Sequence, residues 1–424
     1  MIVISDLRIA ILGLGYVGLP LGLALSRHFR VFGYDSNPIR LRELRQNVDS
    51  TSETSSYTLE HSKITFLEDI KDAQDCNVFI VTVPTPIDSN NIPDLSALCA
   101  ACRDIGSVLS SGDIVVFEST VYPGVTENIC GPELESSSGL QCGSGFFLGY
   151  SPERINPGDR SHTVETVCKV VAGQTKGVTE LLERIYGTAL SAGVHVAPNI
   201  RTAEAAKVIE NAQRDVNIAF INEVAMIFKN MDIDTGDVLA AARTKWNFLD
   251  FEPGLVGGHC IGVDPYYLAF GAQQAGHEPD VILAGRRIND AVASFVVDQI
   301  ANMLRPSSRI LVLGLTFKEN VSDLRNSKVA ELVTLLTQKG FQVSIHDPRA
   351  ARLQAKAFYG IDLAEDLDES YSFDAVIGAV GHKEYRALDS SKLLRMVKND
   401  GVIADLKGIW RAYDFPPPIR YWRL

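Results

Sequence analysis

Short, continuous apolar runs recur along this chain, with helical stretches between them. Because successive residues of a strand point to opposite faces, a run without polar alternation predicts a strand that is buried on both sides. Such strands, alternating with helices, are typical of a parallel sheet covered by helices, so we expect a doubly wound α/β domain at the start of the chain. The runs are RIAILGLG (8–15), RVFGYD (30–35), CNVFIVTVP (76–84), DIVVFEST (113–120) and GFFLGYS (145–151), and TSETSSYT (51–58) is expected to be a loop.

The middle of the chain changes to a helical pattern. Residues 202–231 predict one long helix without Gly or Pro, further helical sequence continues to about residue 247, and another helix is expected over roughly 279–304. The alternation of strands and helices then returns, in SRILVLGLTF (308–317), FQVSIHDP (341–348), FDAVIGAVG (373–381) and GVIADLKG (401–408). The expected fold is therefore α/β, with two doubly wound Rossmann-like domains joined by a helical central domain.

Charge and cysteine content limit the classes of function. The formal net charge of -12 gives the surface no basic field, so neither nucleic acid nor an anionic membrane is expected as a partner. Seven cysteines, an odd number without a regular framework, favour a reducing compartment and predict a cytoplasmic protein. Cys99 and Cys102 form a CxxC, but the spacing of LSALCAACRDIG predicts a helix, so we interpret them as structural thiols and expect no metal site.

The apolar segment at 9–25 also has the alternative interpretation of a signal peptide, because Arg8 precedes it. Its glycines, Pro20 and the strand-like run that follows argue against that alternative.

A glycine motif links the first strand-like run to the next helix. In GLGYVG (13–18) the first glycine permits a tight turn, the second lets the backbone approach a pyrophosphate, and the third lets the helix pack on the strand. The helix N-terminus then faces the phosphate charge. An acid ends the next strand, where it accepts from ribose hydroxyls and repels a 2′-phosphate, so the motif predicts NAD rather than NADP. The residues predicted to contact the cofactor here are Gly13, Gly15, Tyr16, Val17, Gly18 and Asp35.

Two further residues are predicted near this site. Arg40 is interpreted either as stacking on adenine or as a solvated side chain. The third long strand ends at VPTP (83–86), where doubly wound sheets place hydroxyl groups beside the nicotinamide half, so Thr85 is predicted there. The C-terminal half repeats ILGLG (11–15) as VLGLT (312–316) without the full set of glycines. Only the first half is therefore expected to bind a dinucleotide.

A cysteine among glycines is the candidate for covalent chemistry. GGHCIGVD (257–264) surrounds Cys260 with glycines that permit close approach of backbone to ligand, and Asp264 follows four residues later. A buried, unreactive thiol is the alternative interpretation.

The long central helix carries a polar face. A solvated face would explain it as well as a site would, although a lysine and an amide near an aldehyde could stabilise an oxyanion. The face is made of Glu204, Lys207, Asn211 and Arg214, at i, i+3, i+7 and i+10.

Motifs spread in order over nearly the whole chain are GLGYVG (13–18), VPTP (83–86), ESTVYPG (118–124), YSPERINPGD (150–159), AEAAKVIENAQRDVNIAFINE (203–223), GLVGGHCIGVDPYYL (254–268) and GLTFKENVSDLRNS (314–327). Together they resemble the UDP-glucose/GDP-mannose 6-dehydrogenase family. In particular they resemble its UDP-N-acetylhexosamine branch, which includes the Vi-antigen and O-antigen enzymes.

The resemblance implies a domain organisation and a reaction. It implies an NAD-binding domain at 1–198, a helical dimer-forming centre at 199–305 and a domain that holds the UDP moiety at 306–424, hence a homodimer or a higher homo-oligomer. The implied reaction is a four-electron oxidation of a UDP-sugar with two NAD, for synthesis of a surface polysaccharide precursor. The C6 alcohol becomes an aldehyde, a cysteine thiolate adds to give a thiohemiacetal, oxidation gives a thioester, and water releases the acid.

The resemblance also implies roles for individual residues. Cys260 is the nucleophile, Lys207 and Asn211 hold substrate and the developing oxyanion, and Asp264 supports Lys207 and the hydrolytic water. Thr120 positions water near C6 beside the cofactor. The implied contacts that remain are Glu153 in the catalytic loop, Arg154, Arg214, Gly257, Phe317 and Lys318 for the substrate, and Arg325 for the cofactor.

One departure from the family pattern bears on the substrate. UDP-glucose enzymes of the family carry a second glutamate four residues after the position of Glu153, where this chain has Pro157. The acid–base work of that glutamate must be absent or borne by another group, for example Glu153. The INPGD loop instead resembles that of the N-acetylhexosamine enzymes, which favours UDP-GlcNAc. The alternatives are UDP-glucose, UDP-ManNAc, a two-electron β-hydroxyacid dehydrogenase that needs no cysteine, and a nucleotide-sugar sensor without catalysis.

Overall fold

The computed structural model describes residues 4–51, 53–155, 163–258, 260–367 and 372–424. The chain is divided between two units. The first unit comprises Met1–Glu210 and Tyr266–Glu278, and the second comprises Asn211–Pro265 and Pro279–Leu424.

A largely parallel sheet forms the centre of the first unit. Its central strands are buried on both faces, as predicted: Ile9 and Ile11 of the first strand enter one apolar core, while Ala10 and Leu12 enter the other. Within the described residues the strands are β1 (Arg8–Leu12), β2 (Arg30–Tyr34), β3 (Thr65–Phe66), β4 (Val78–Val81), β5 (Ile114–Phe117), β6 (Phe147–Tyr150), β7 (Lys169–Gly173) and β8 (Val194–Val196), in the order β3-β2-β1-β4-β5-β6-β7-β8. All neighbours are parallel except β6 and β7.

Helices cover this sheet. They are α1 (Gly18–Ser26), α2 (Pro38–Arg45), α3 (Ser56–Glu60), α4 (Ser96–Gly106), α5 (Gly131–Ser138) and α6 (Lys176–Ala189), with 3-10 turns at Ile4–Asp6 and Ile70–Ala73 and a π-helical turn at Thr126–Cys130. The helix predicted around the CxxC is α4, where Cys102 packs in the apolar core. The prediction of a loop over 51–58 is wrong at its end. Ser55 accepts a hydrogen bond from the Thr58 N–H at 3.1 Å, and this N-cap starts α3.

A helix of 31 residues, α7 (Ile200–Asn230), starts in the first unit and ends in the second. It corresponds closely to the helix predicted over 202–231. The helices that follow are α8 (Thr235–Ala242), α9 (Asp264–Gln274) and α10 (Asp280–Ala301). Despite the length of α7, no helix in the described ranges is long and apolar enough to cross a bilayer.

A parallel sheet of the second unit follows the helical region. Its described strands are β9 (Arg309–Leu313), β10 (Gln342–His346), β11 (Phe373–Gly378), β12 (Val397–Asp405) and β13 (Arg420–Arg423), in the order β10-β9-β11-β12-β13, with α11 (Lys328–Gln338), α12 (Arg352–Tyr359), α13 (Lys383–Arg386) and α14 (Ser390–Met396). Val292, Val296 and Ile300 of α10 pack in the same core as Ile310 and Val312 of β9. The expected fold class, with two doubly wound sheets and a helical centre, is confirmed.

A buried charge network joins α7 to α10 in the second unit. Arg286 NH1 lies 2.6 Å from Asp215 Oδ1, and both side chains are almost fully buried. The Asn289 amide donates to the same oxygen at 2.8 Å, and Arg286 NH2 donates to Asp290 at 2.6 Å. Burial raises the pKa of Asp215 even though the Arg286 charge opposes it. Arg286 and Asn289, rather than water, therefore provide the stabilisation of the Asp215 carboxylate.

Removal of Arg286 should destabilise the second unit strongly. In Arg286→Met the Asp215 carboxylate stays buried without its counterion, and we expect a loss of about 3–5 kcal/mol in the free energy of unfolding. Arg243→Met is the matched control, because Arg243 pairs with Asp250 and Glu252, whose side chains are 62% exposed. That substitution should reduce stability by about 1 kcal/mol or less. Similar urea unfolding curves for the two variants would contradict the assignment.

Candidate active site

The backbone between β1 and α1 makes a tight turn that only glycine permits at two positions. Gly13 has φ +94, and a Cβ at Gly18 would lie 1.9 Å from the Gly13 carbonyl oxygen. A Cβ at Gly15 would meet no atom within 4 Å, so this part of the turn borders open space. Tyr16 and Val17 complete the turn, and α1 begins at Gly18. The turn thus offers a cradle in front of a helix N-terminus, which fits the pyrophosphate of NAD.

Asp35, directly after β2, is hydrogen-bonded to this turn. Its Oδ2 accepts from the Leu14 N–H at 2.8 Å, and its Oδ1 accepts from the Asn37 N–H at 2.8 Å. The carboxylate is therefore fixed beside the glycine turn, at the position where the ribose hydroxyls of a dinucleotide are expected.

Arg40 supports the same turn from the other side. It is 7% exposed, its Nε donates to the Leu14 carbonyl at 2.9 Å, and its NH2 lies 2.8 Å from Asp49. The alternative of a solvated Arg40 is therefore wrong, because burial and three partners, including Ser50 at 3.2 Å, hold the guanidinium in place. Its contact with adenine stays a prediction.

Hydroxyl groups tie the loops after β4 and β5 to the glycine turn. Thr82 Oγ1 donates to the Gly13 carbonyl at 2.6 Å, and Ser119 Oγ donates to the Val83 carbonyl at 2.6 Å. The predicted residues Thr85 and Thr120 lie three positions after Thr82 and directly after Ser119, respectively, and both are half-buried. Sequence reasoning missed Thr82, although its position at the end of a buried strand was a usable signal.

Glu153, predicted for the catalytic loop, is 6% exposed and fully engaged. Its Oε1 accepts from the N–H groups of Arg154 and Ile155 at 2.6 and 2.8 Å, and its Oε2 lies 2.7 Å from Lys169 Nζ. Burial alone would raise the pKa of Glu153, but the Lys169 charge and the two N–H groups lower it. An ionised carboxylate with both oxygens occupied holds its loop, and this geometry does not favour it as a proton donor. Pro157 lies outside the described residues.

Arg154 and Glu204 fasten the first part of α7. Arg154 NH2 lies 2.7 Å from Glu210 of α7, and its NH1 donates to the Cys168 carbonyl at 2.9 Å. Glu204 is 0% exposed and accepts from the N–H groups of Gly124 and Thr126 at 2.6 and 2.9 Å. The polar face of α7 is therefore not a solvated one at this end.

The other three residues of that face differ in exposure. Lys207 is 8% exposed, Asn211 is half-buried and Arg214 is exposed. The sequence pattern could not distinguish these environments, because all four residues share one helical spacing.

The residues around Cys260 are arranged by glycine contacts within the second unit. A Cβ at Gly257 would lie 2.6 Å from the Asn326 carbonyl, and one at Gly258, which has φ +88, would lie 2.7 Å from the Phe317 ring. The glycines thus bring this segment against the loop after β9. His259 lies outside the described residues.

Cys260 stands at the start of α9 with two of its predicted partners. Its carbonyl accepts from the N–H groups of Val263 and Asp264 at 3.0 and 2.8 Å, which sets the first turn. Asp264 is 2% exposed, and its Oδ2 accepts from the Asn211 amide at 2.6 Å. The structure therefore brings Cys260, Asp264 and Asn211 together in one unit. The Cys260 thiol is partly exposed, unlike a buried structural thiol.

The loop after β9 carries the predicted C-terminal contacts. Lys318 Nζ lies 5.8 Å from the centre of the Phe317 ring, and Arg325 makes a bidentate contact with Asp323, 3.0 Å from Nε and 2.7 Å from NH2. In the described residues, no group of three or more His, Cys, Asp or Glu side chains is arranged to hold a metal ion.

The second sheet repeats the carboxylate contact of the first but not its open turn. Asp347 Oδ2, after β10, accepts from the N–H groups of Leu315 and Thr316 at 2.6 and 2.9 Å, and it also contacts the fully buried His382. Although burial opposes it, His382 and these N–H groups lower the pKa of Asp347 to about 2. A Cβ at Gly314 would lie 2.4 Å from Val380. Side chains of the protein itself therefore fill this turn.

Comparison with known proteins agrees with this geometry. Models of the UDP-glucose/GDP-mannose dehydrogenase family match residues 7–190 (NAD binding domain), 201–291 (central domain) and 311–412 (UDP binding domain). The chain is 50% identical over 410 residues to the UDP-N-acetyl-D-glucosamine 6-dehydrogenase of Pseudomonas aeruginosa, covering 95% of this chain and 97% of the relative. It is 49% identical over 423 residues to protein CapL of Staphylococcus aureus, covering 98% and 99%.

A solved structure of UDP-D-ManNAc dehydrogenase from Pyrococcus horikoshii is similar with a TM-score of 0.89 and 28% identity, covering 98% of this chain and 99% of that chain. The resemblance drawn from the motifs and the prediction of NAD as cofactor are confirmed by the matched family domains. The chain belongs to the UDP-glucose/GDP-mannose dehydrogenase family.

Proposed function

We propose that this protein oxidises the C6 alcohol of a UDP-N-acetylhexosamine, UDP-GlcNAc in the first instance, to a carboxylate. The observation that carries the proposal is the start of α9, where Cys260 lies one helical turn from Asp264 and Asp264 accepts from Asn211 at 2.6 Å. A two-electron dehydrogenase needs no cysteine, whereas oxidation of an aldehyde to the acid level is served by a covalent thiol adduct. The product is a precursor for a surface polysaccharide.

Cys260 divides the second oxidation into two easier steps. After the alcohol has been oxidised to the aldehyde, the Cys260 thiolate adds to C6 and forms a C–S bond and an oxyanion, which takes up a proton to give the thiohemiacetal. Loss of a hydride and of the hydroxyl proton gives the thioester. Water then breaks the C–S bond and releases the acid and the thiol. NAD, when bound, accepts one hydride in each oxidation, so each sugar yields two NADH.

Lys207 and Asn211 stabilise the oxyanion in this proposal. The Asn211 amide gives one N–H to Asp264, which fixes its orientation and leaves the second N–H for the substrate oxygen. Lys207 brings a buried positive charge, which is worth more than an exposed one because the local dielectric is low. Asp264 supports the lysine and the hydrolytic water, and Thr120 positions water near C6.

The remaining predicted residues have supporting roles. Glu153 holds the loop after β6, since both of its oxygens are already engaged, and it leaves proton transfer to Lys207 and water. The cofactor contacts are those predicted at the glycine turn, at Asp35, Arg40, Thr85 and Thr120, together with Arg325. Arg154, Arg214, Gly257, Phe317 and Lys318 complete the substrate site.

We further propose the three-part division of labour that the motifs imply. Residues 1–198 hold NAD, residues 199–305 form the contact of a homodimer or higher homo-oligomer, and residues 306–424 hold the UDP moiety. The reaction takes place in the cytoplasm, where NAD and UDP-sugars are available.

An N-acetylated substrate is supported by two observations. Pro157 replaces the second glutamate of the UDP-glucose enzymes. The relative from Pseudomonas aeruginosa, at 50% identity, is a UDP-N-acetyl-D-glucosamine 6-dehydrogenase. UDP-glucose and UDP-ManNAc are the alternative substrates, and a two-electron β-hydroxyacid oxidation is the alternative reaction.

A count of NADH tests the reaction. We expect two NADH, measured by absorbance at 340 nm, for each UDP-GlcNAc consumed, with lower activity on UDP-glucose, UDP-GalNAc and UDP-ManNAc. Cys260→Ala should reduce steady-state turnover by roughly 10³-fold or more, because the covalent route is lost. Cys142→Ala is the control, since Cys142 is another partly exposed free thiol and should retain full activity. One NADH per sugar, or full activity of Cys260→Ala, would contradict the thioester mechanism.

Asp35 should determine the affinity for NAD. Asp35→Asn removes the charge that strengthens hydrogen bonds to the ribose, so the KM for NAD should rise roughly tenfold while the KM for the nucleotide sugar stays constant. The preference for NAD over NADP should fall at the same time. Asp69→Asn is the matched control, because Asp69 is also a carboxylate that follows a strand and accepts from a backbone N–H, that of Lys71 at 3.0 Å, although it is more exposed than Asp35. Equal KM values for NAD in the two variants would refute the role of Asp35.

A further inference from the structure

Four side chains form a buried cluster beside the predicted catalytic loop. We call it the Lys169 cluster; it consists of Glu118, Glu153, Lys169 and Tyr186. Lys169 Nζ lies 2.6 Å from Glu118 Oε2 and 2.7 Å from Glu153 Oε2, and the Tyr186 hydroxyl donates to Glu118 Oε1. The side chains of Lys169, Glu118 and Glu153 are 3%, 0% and 8% exposed. Water therefore contributes little to their solvation.

The antiparallel pairing of β6 and β7 explains how Lys169 reaches this position. Glu118 follows β5 and Glu153 follows β6, so both lie at the carboxyl edge of parallel strands. Lys169 is the first residue of β7, and in a parallel strand it would lie at the opposite edge. Because β7 runs antiparallel to β6, with Gly149 opposite Gly173, its amino end meets the loop after β6. The reversal delivers a lysine to the edge where ligands bind in such sheets.

The cluster has more negative than positive charge. When Glu118 and Glu153 are both ionised, the single ammonium of Lys169 pairs with two carboxylates, and the Lys169 cluster has a net charge of about −1. Glu153 also accepts from two backbone N–H groups, whereas the hydrogen bonds of Glu118 to other described residues come from Lys169 and the Tyr186 hydroxyl. Burial raises the pKa of Glu118 to about 7, against the opposing effect of Lys169. Glu118 is therefore the group that takes up a proton.

The neighbours of Glu118 can accommodate that proton. A protonated Glu118 keeps one oxygen as acceptor for Lys169 and donates through the other to the Tyr186 oxygen. Tyr186 then needs an acceptor for its own proton. Ser151 is fully buried, and its side chain lies within hydrogen-bonding reach of the Tyr186 hydroxyl. The Ser151 hydroxyl can accept from Tyr186, so the protonated Glu118 carboxyl and the Tyr186 hydroxyl both keep hydrogen-bond partners.

We propose that Glu118, Lys169 and Tyr186 are positioning residues that hold Glu153 and its loop, and that a proton on Glu118 determines how firmly they hold it. When Glu118 is protonated, the charge of Lys169 is left wholly to Glu153. When Glu118 is ionised, the two carboxylates compete for one ammonium and repel each other. The link to catalysis rests on the proposed function, because Thr120 and Glu153 belong to the proposed site. The groups that face Glu118 are Lys169 from β7, Glu153 from the loop after β6 and Tyr186 from α6.

Glu118→Gln tests the proposal because glutamine has the shape of the protonated carboxyl. Its carbonyl can accept from Lys169 and its amide can donate to Tyr186, so it should behave as a permanently protonated Glu118. We expect the ratio of kcat/KM in Glu118→Gln to that in the wild type to be near one below about pH 6 and to rise about threefold or more by about pH 8.5, with a midpoint near neutrality. In Tyr186→Phe the midpoint of the pH profile should move upward, since a hydrogen bond that stabilises the ionised carboxylate is lost.

Asp113→Asn is the matched control. Asp113 lies directly before β5, as Glu118 lies directly after it, and burial raises its pKa to about 6. It is far from the cluster, because the whole strand lies between them. The ratio of kcat/KM in Asp113→Asn to that in the wild type should not change with pH. A ratio for Glu118→Gln that is independent of pH, or that follows the one for Asp113→Asn, would overturn the proposal.

Thermal unfolding without substrate separates this proposal from the proposed function. The pKa of Glu118 is higher in the folded than in the unfolded chain, so the proton stabilises the fold fully below the unfolded value near 4.5, and that contribution is lost as the pH rises through about 7. The Tm of the wild type should therefore fall relative to that of Glu118→Gln between about pH 5 and pH 8. A constant Tm difference refutes Glu118 as the titrating group even if the enzyme is active. If the wild type makes no NADH with any UDP-sugar, the proposed function and the link to catalysis fail, while a Tm difference that changes with pH still supports the proton on Glu118.

Discussion

The tight turn after β1 is the constraint on which the first unit depends. A side chain at residue 18 would overlap the Gly13 carbonyl, so α1 can start at this point only because glycine has no Cβ. The same carbonyl accepts from Thr82, which ties the turn to the end of β4. Asp35 and Arg40 then hold the N–H and the carbonyl of Leu14, respectively. Contacts within the protein thus hold the shape of the cradle for the pyrophosphate, which reduces the ordering needed on binding.

The turn after β9 in the second sheet corresponds to the turn after β1 but lacks the full set of glycines. Asp347 repeats the backbone contact of Asp35, and Gly314 has φ +101 at the position that corresponds to Gly13. Here, however, Val380 and His382 fill the space next to the turn. The Asp347 carboxylate, at the position that would face a ribose, instead contacts backbone N–H groups and His382 of the protein itself. The two sheets therefore share one architecture but differ at this turn: the first matches the NAD binding domain of the family and the second matches its UDP binding domain.

Sequence patterns predicted the features that depend on neighbouring residues. The long buried strands and the glycine turn were predicted because each depends on a few consecutive side chains. The short strands Thr65–Phe66 and Val194–Val196 were missed, since two or three residues give no apolar run of their own. Arg420–Arg423 was missed because arginines stand at both of its ends. The helix at Ser56–Glu60 was missed because its N-cap lies within a Ser/Thr-rich segment that is typical of a loop.

Features that depend on distant contacts could not be predicted in this way. Lys169 meets Glu118 and Glu153 across 51 and 16 residues of sequence, and an ion pair leaves no periodic signal. The direction of β7 also cannot be predicted from its own residues, because its sequence KVVAG is as apolar as that of a parallel strand. Resemblance named Glu153 as a functional residue, but only the structure revealed that both of its oxygens are occupied.

The contacts that hold the loops after β5 and β6 and the start of α7 form a closed ring within the first unit. Lys169 holds the loop after β6 from inside through Glu153, and Arg154 of the same loop reaches Glu210 on α7. α7 in turn is fixed to the loop after β5 by the buried Glu204. The loop after β5 begins next to the strand end whose carboxylate binds Lys169, so the ring returns to its starting point. Because each link contains at least one charged group that is partly or wholly buried, loss of one link leaves a charge without its partner. A change of charge inside the ring therefore acts on both loops and on the helix at once, which is why a single proton in its interior can affect groups that it does not touch.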